Sequence, residues 1–376
     1  MFGLPMKPNV SVSVELRPIL NVCNVYITLE EIFADTTTVQ VDADARSFTV
    51  GVRLNDAEVS TTQLTLPSEY RFRHETQSSI RKRVDKRDAE TASSKRTELS
   101  FRIQVEGQCN MPHIPIVGTS EPGHGCTCMF RCRSCDSDVL AKETTFRRVL
   151  PLPSADWKEM AAEWFCHKHE DGGDVPSAVD PKADEMFTSV LCFNVHKSIL
   201  ANVGFNSVGE LQCDNCHEVI SKALDRNSMT VEVLRTRVDV WTLNGSTRLL
   251  LRRDATSVLS HMIKEQLSLS VSCRLILEAG DLALLVWVME TGLQYFKAVN
   301  LERGHHPICF QAVTKVLYLV AELQSSVVHS WREDALVTVQ PVDKVLFQET
   351  LAMLNGSRSG DTLDDFMVGF VPECMS

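Results

Sequence analysis

The sequence predicts an α+β fold with an N-terminal antiparallel β region, a cysteine-rich middle and a mixed α+β C-terminal region. Three observations predict it. Apolar residues alternate with period two over much of the first hundred positions, two Cys-x2-Cys pairs flank the middle, and strand-like and helix-like spacings follow one another after residue 226. A chain of 376 residues, 44% apolar and 23% charged, has the composition of a globular protein and enough length for two or more cores. The expected regions are 1–125, 126–225 and 226–376.

The alternating sets are Val10, Val12, Val14 and Leu16, then Phe48, Val50, Val52 and Leu54, then Leu99, Phe101, Ile103 and Val105. Each places its apolar residues on one face, as half-buried antiparallel strands require. Between Arg71 and Arg96, nine Lys or Arg stand against four Asp or Glu with almost no apolar residues, which predicts a solvated loop. Ser154 is a helix N-cap candidate, and Trp157, Met160, Ala161 and Trp164 then recur at the spacing of one buried helical face. Residues 169–185 carry six acidic side chains and one lysine with Gly172, Gly173, Pro176 and Pro181, the pattern of a loop. Further on, the spacing predicts a strand over 231–241 and a helix over 258–267. A hairpin through Ala279-Gly280-Asp281 is expected to join 275–277 to 282–289. Helices are predicted over 312–323 and from Leu346 to Leu354, the latter closed by Asn355-Gly356.

The net charge of −11 disfavours a surface that grips phosphates throughout. Residues 1–14 lack a basic stretch leading into an apolar one, and the longest apolar run, 282–289, is far short of a bilayer span. A soluble, cytoplasmic protein is expected, with the basic tracts Arg81-Lys82-Arg83 and Lys86-Arg87 allowing a nuclear fraction. No membrane partner is expected. Direct RNA binding through 71–96 is disfavoured because only Tyr70 and Phe72 are near enough to stack bases.

Thirteen cysteines in such a setting are expected to be thiols, with clustered ones as metal ligands. Cys132-x2-Cys135 and Cys213-x2-Cys216 are two knuckles of the kind that supply four thiolates to tetrahedral zinc. Four protein ligands close the coordination sphere, so the expected zinc is structural and tethers distant segments. Cys126, Cys128, Cys166, His167 and His217 are further donors able to replace one ligand or build a second site. His305, His306 and Cys309 offer a thiol beside imidazoles, but the simpler expectation is a buried Cys309 opening the 312–323 helix. No Gly-rich phosphate loop, Gly-x-Ser-x-Gly elbow or His-Glu-x-x-His helix is present.

The run Arg148-Val149-Leu150-Pro151-Leu152-Pro153-Ser154, with Trp157, Glu163-Trp164 and Cys166-His167, resembles the central signature of the HECT-like ubiquitin-protein ligases, which bind ubiquitin-conjugating enzymes. The resemblance extends to the two cysteine pairs, to Lys315-Val316-Leu317-Tyr318, and to Trp331, Asp334 and Pro341 in similar order. It implies a ubiquitin ligase that accepts ubiquitin from a conjugating enzyme and transfers it to a substrate lysine. Such transfer needs a cysteine thiolate, because sulfur exchanges thioesters readily near neutral pH.

In HECT ligases a segment near the C-terminus holds that cysteine, and the comparable segment here is Gln340-Pro341-Val342-Asp343-Lys344-Val345. Val345 stands in the cysteine's place. The catalytic residue is therefore unknown from sequence: the alignment is displaced, or Cys309, Cys273 or Cys374 serves, or there is no covalent step. The last option implies an alternative, a non-catalytic zinc-stabilised binding protein. Its partner by resemblance is the endonuclease of pre-mRNA 3′-end cleavage and polyadenylation.

Overall fold

A computed structural model describes residues 9–42, 44–53, 59–84, 96–107, 122–141, 143–152, 180–221, 228–244, 247–251, 253–358 and 362–373. The chain divides into two compact units. The first comprises Met1–Ile114, Met289–Val316 and Arg358–Glu373, and the second Pro115–Val288, Leu317–Ser357 and Cys374–Ser376. Both are discontinuous in sequence, whereas the regions drawn from sequence are contiguous.

In the first unit, β1 (Val10–Arg17) and β2 (Val22–Glu30) form a hairpin whose turn holds Asn21 in the left-handed region at φ 50°. An asparagine tolerates that conformation better than most residues. β3 (Thr37–Val41), β4 (Ser47–Arg53) and β5 (Val59–Thr65) form a second antiparallel set. β6 (Tyr70–Phe72) and β7 (Arg81–Val84) both pair with the long β8 (Arg96–Gly107), whose other edge takes β2. The alternation expected from sequence is present: Val10, Val12, Val14, Leu16, Leu99, Phe101, Ile103 and Val105 are all buried. They share one core with Val50 and Leu64, and Phe48 meets Phe72 and Phe101 edge-on at 6.1 and 6.0 Å.

The second unit begins with β9 (Cys126–Cys132), β10 (Thr144–Phe146), β11 (Arg148–Pro151), β12 (Glu185–Thr188) and β13 (Cys192–His196). It continues through β14 (Val203–Phe205), β15 (Leu211–Cys213), β16 (Thr230–Leu234), β17 (Val238–Asn244) and β18 (Thr247–Leu251). One sheet runs β10-β9-β17-β18, another β11-β12-β13-β16, and β14 pairs β15. Phe130, Phe146, Phe193, Val195, Val231, Val233, Val238 and Val240 fill the core, which also includes Cys132 and Cys213. The metal-ligand candidates are thus built into the hydrophobic core of this unit.

The helix Ala255–Leu269 follows, capped by Asp254, whose carboxylate accepts the Ser257 N–H at 2.8 Å. β19 (Arg274–Ala279) turns through Gly280, at φ 62°, into β20 (Leu282–Leu301). Then come β21 (Gly304–Pro307), β22 (Gln311–Glu322), a short helix Ser326–Arg332, β23 (Val337–Pro341), the helix Lys344–Ser357, β24 (Thr362–Leu363) and β25 (Phe366–Pro372). In the first unit the later half of β20 pairs β1, and β21 runs parallel to β5. In the second, β19 lies between the first half of β20 and a parallel β23.

Several expectations are corrected. The fold is α+β only broadly, being mainly β with four helices among the described residues. Positions 312–323 are not a helix but β22. Its buried Val313, Thr314, Val316, Leu317 and Tyr318 point to both faces, and the strand is central in its sheet, between β20 and β25. A run buried on both faces shows no alternation, and β-branched Val313, Thr314, Val316 and Val320 favour the strand. The predicted strand over 231–241 is two strands, broken by a turn in which Arg237 N–H bonds the Leu234 carbonyl at 3.0 Å. The apolar phase shifts there, from Val231 and Val233 to Val238 and Val240. Within 71–96, Arg81–Val84 is an edge strand rather than loop, and Arg81, Lys82 and Arg83 are exposed. Charge on an edge strand resists pairing with other chains. The helix Lys344–Ser357 runs through Asn355-Gly356 instead of stopping there, and β20 continues twelve residues past Met289. The expected helix with Trp157, Met160, Ala161 and Trp164 lies outside the described residues, as does the acidic loop up to residue 179.

Glu15 on β1 is 2% exposed and receives Lys315 Nζ of β22 at 2.8 and 3.1 Å, both partners belonging to the first unit. Removing one member of such a pair strands the other charge in low dielectric. Lys315→Met is expected to destabilise the protein by about 3–5 kcal/mol. Urea unfolding of the variant against wild type checks this, and a difference below ~1 kcal/mol would show that Glu15 is solvated in another way.

Candidate metal centre

Cys132 ends β9 and Cys213 ends β15, and each strand turns immediately into a knuckle of the same geometry. In the first, Asp136 N–H bonds the Cys132 carbonyl at 2.8 Å and Cys132 N–H bonds the Ser137 carbonyl at 2.8 Å. In the second, His217 N–H bonds the Cys213 carbonyl at 2.8 Å and Cys213 N–H bonds the Glu218 carbonyl at 2.9 Å. Asp136 and His217 occupy the same left-handed position, at φ 59° and 60°. One level out, Val139 N–H bonds Phe130 and Ile220 N–H bonds Leu211, both at 2.8 Å. The two hairpins are therefore equivalent, residue by residue, at a constant sequence offset.

The four sulfurs lie within 4.8 Å of one another. Cys132 Sγ is 3.6 Å from Cys216 Sγ, and Cys135 Sγ is 3.6 Å from Cys213 Sγ. Tetrahedral zinc with Zn–S bonds of about 2.3 Å sets sulfurs ~3.8 Å apart, so the spacing fits such an ion. Cys132 and Cys213 are each 1% exposed, while Cys135 and Cys216 are partly open. Backbone N–H groups of the turns point at the sulfurs, from Ser134 and Cys135 to Cys132, from Ser137 to Cys135 and from Glu218 to Cys216. The Asn215 side chain, followed by the Ser137 N–H, holds the Cys135 thiol down at about 6, whereas burial pushes Cys132 up to about 12. Four sulfurs this close cannot all ionise unless a cation neutralises them, and a thiophilic divalent ion supplies that charge. The cluster can hold a metal ion, and its four protein donors would leave no open position for a substrate.

Charged side chains bind the knuckles to the turn between β16 and β17. Arg133, inside the first knuckle, bonds Asp239 at 3.2 Å and the carbonyls of Arg235 and Arg253 at 3.3 and 3.1 Å. Arg237 pairs with Glu218 of the second knuckle and, at 3.1 Å, with Asp343. Asp343 also accepts the Thr236 hydroxyl at 2.9 Å and the Val345 and Leu346 N–H groups, which caps the helix Lys344–Ser357. Sequence reasoning misses Arg133, Arg237, Glu218, Asp239 and Asp343 as members of this site. The one signal there is Arg133 within the Cys-x2-Cys spacer.

The other expected donors lie elsewhere. Cys126 and Cys128 sit 3.4 Å from each other and do not join the four-sulfur group. His217 is exposed and likewise does not join it. Cys166 and His167 fall outside the described residues. Val345 sits in the first turn of the helix Lys344–Ser357, and no nucleophile is placed there. Cys273 is 1% exposed, and burial pushes its thiol up to about 12. Cys309 is exposed, not buried, and opens no helix. His305 shares a hydrogen bond with Thr65 Oγ1 at 2.7 Å and His306 one with the Glu302 carbonyl at 2.9 Å, so both imidazoles are engaged by groups other than Cys309. Cys374 lies outside the described residues.

Residues 15–359 match the family described as HECT-like ubiquitin-conjugating enzyme (E2)-binding. The chain belongs to this family. Among curated relatives, an E3 ubiquitin-protein ligase of Mus musculus is 24% identical over 198 residues, covering 51% of each chain. The ligase of the same name from Rattus norvegicus is 24% identical over 196 residues with the same coverage, and that from Homo sapiens 36% identical over 69 residues, 18% of this chain and 17% of the relative. The chain spans about half the length of the mouse and rat relatives it matches. No solved structure matches it. The HECT-like E2-binding match takes in both knuckles, the Glu15–Lys315 pair and Asp343.

Native mass spectrometry is expected to record a metal ion that Cys132→Ser and Cys213→Ser each release, because three thiolates hold it less tightly and lose the closed geometry. Retention of the ion in both single variants would overturn the four-thiolate assignment.

Proposed function

We propose that this HECT-like E2-binding protein is a ubiquitin-protein ligase. It receives a conjugating enzyme charged with ubiquitin and directs the ubiquitin to a lysine of a protein substrate, in the cytoplasm and the nucleus. The observation that carries this reading is the family match over 15–359, which covers most of both units. Cys132, Cys135, Cys213 and Cys216 would hold a structural zinc ion, whose contribution is to stabilise the folded state. Arg133, Arg237 and Asp343 keep the knuckles, the β16–β17 turn and the helix Lys344–Ser357 in one arrangement.

A covalent step requires an accessible thiol. Among Cys273 and Cys309, only Cys309 meets that condition. The second reading is a non-catalytic zinc-stabilised binder, with the endonuclease of pre-mRNA 3′-end processing as the partner suggested by resemblance. It is favoured by Val345, which by resemblance stands where true HECT ligases carry their cysteine, and whose N–H donates to Asp343.

Single-turnover transfer from a panel of charged conjugating enzymes separates the readings. A reductant-labile ubiquitin adduct, or transfer to lysine, is expected for wild type. Cys273→Ala should leave it within about twofold, as a thiol with no solvent contact cannot meet a thioester. Loss of the adduct in Cys309→Ala or Cys374→Ala would name the nucleophile. No adduct and no transfer across the panel would leave the binder.

A further inference from the structure

Cys126 and Cys128 are the first and third residues of β9, so their side chains share one face of the strand. Their sulfurs are 3.4 Å apart and hydrogen-bonded to each other. The two thiols differ in access: Cys128 is fully buried, while Cys126 is partly open to solvent. The hydrogen bond between them lowers the pKa of Cys126 from the ordinary thiol value, and the same bond together with burial raises that of Cys128. An outer sulfur with thiolate character backed by a buried thiol is the layout of an attacking and a resolving cysteine.

The local backbone can accommodate a bond between them. Residues two apart on a strand have Cα atoms about 6.6 Å apart, near the upper end of the range a disulfide spans, so closure requires β9 to contract slightly. Cys126 is the strand's first residue, its N–H bonds the Gly123 carbonyl rather than a neighbouring strand, and Gly125 before it lies in the left-handed region at φ 73°. Cys128 is held in the ladder opposite Thr144 of β10 and Thr242 of β17. Cys126 is opposite Phe146 of β10 alone, so contraction falls on the end held from one side. A bridge closed under such strain is more easily reduced than a relaxed structural disulfide, which makes it reversible.

We propose that Cys126 and Cys128 form a redox-active dithiol that exchanges with small disulfides of the glutathione class. The Cys126 thiolate attacks one sulfur of glutathione disulfide, forming a mixed disulfide and releasing one glutathione thiolate. Cys128 then attacks Cys126 Sγ, closing the protein disulfide, and its proton leaves on the sulfur of the second glutathione, which departs as the thiol. Two protein thiols are oxidised by two electrons, one glutathione disulfide is reduced to two thiols, and no other reactant is consumed. This site is separate from Cys132, Cys135, Cys213 and Cys216.

The test is equilibration of the full chain, in its metal-bound form, with glutathione buffers of increasing oxidised fraction. An acid quench, alkylation and peptide fragmentation then report each cysteine. The expected result is joint loss of alkylation at Cys126 and Cys128, with a mass lower by two hydrogens, reversed by excess reduced glutathione. Cys128→Ser is expected to trap glutathione on Cys126, with Cys128→Ala as the second variant should the serine disturb the core, and Cys126→Ser should prevent both products. Exposed Cys309, at which a mixed adduct is expected, serves as the internal contrast. A glutathione adduct that accumulates on wild-type Cys126, or two thiols that persist in oxidised glutathione, would overturn the proposal. So would a second bound metal ion, seen in native mass spectra, that either Cys126→Ser or Cys128→Ser removes.

Discussion

The second unit depends on four thiols meeting within 4.8 Å although the two knuckles that supply them are separated by 77 residues of chain. Local geometry supplies each pair cheaply, because a short turn after a strand suffices. Convergence of the pairs is a different matter, since it fixes where β9 and β15 end relative to each other and so what can be packed around them. Cys132 and Cys213 are accordingly core residues, in contact with the same cluster as Phe130, Leu211 and Val238. A metal ion at that place acts on folding, because the ligands are far apart in the unfolded chain and binding favours only the compact state.

The knuckles also reach beyond their sulfurs. Arg133 and Glu218, next to the ligands in sequence, extend charged hydrogen bonds to the turn Arg235–Arg237, and Arg237 passes the connection to Asp343. Asp343 serves three purposes with one carboxylate: it accepts Thr236, pairs with Arg237 and caps a helix. Because its side-chain oxygens are shared, a change at any member leaves a half-buried charge or an uncapped helix end. Of the segment Gln340 to Val345, Asp343 and the Val345 N–H lie inside this network.

A closed four-sulfur centre and thioester chemistry place opposite demands on cysteine. Structural ligands need burial and convergent neighbours, while a nucleophile needs approach from solvent. Among the described cysteines, Cys132 and Cys213 are enclosed while their partners Cys135 and Cys216 are partly open, Cys23 and Cys273 are buried with thiols raised by burial, and Cys126 and Cys309 have solvent access.

Local periodicity and short spacing already encode a good part of this architecture. The alternating strands β1, β4 and β8, the Gly280 hairpin, the helix Ala255–Leu269 and both Cys-x2-Cys knuckles are legible because each depends on residues within one element. So is the family, through motifs from Arg148 to Pro341. Tertiary structure alone decided that 312–323 is a strand, since burial on both faces erases the alternation that would mark it. It also decided that Arg81–Val84 pairs with β8, since an edge strand needs no apolar face. It decided, too, that Arg237, Asp239 and Asp343 serve the knuckles, since salt bridges between separate segments leave no periodic trace. The physical reason is common to all three: propensity and pattern act over a few residues, whereas burial on a second face, pairing at an edge and charge satisfaction depend on neighbours supplied by distant parts of the chain.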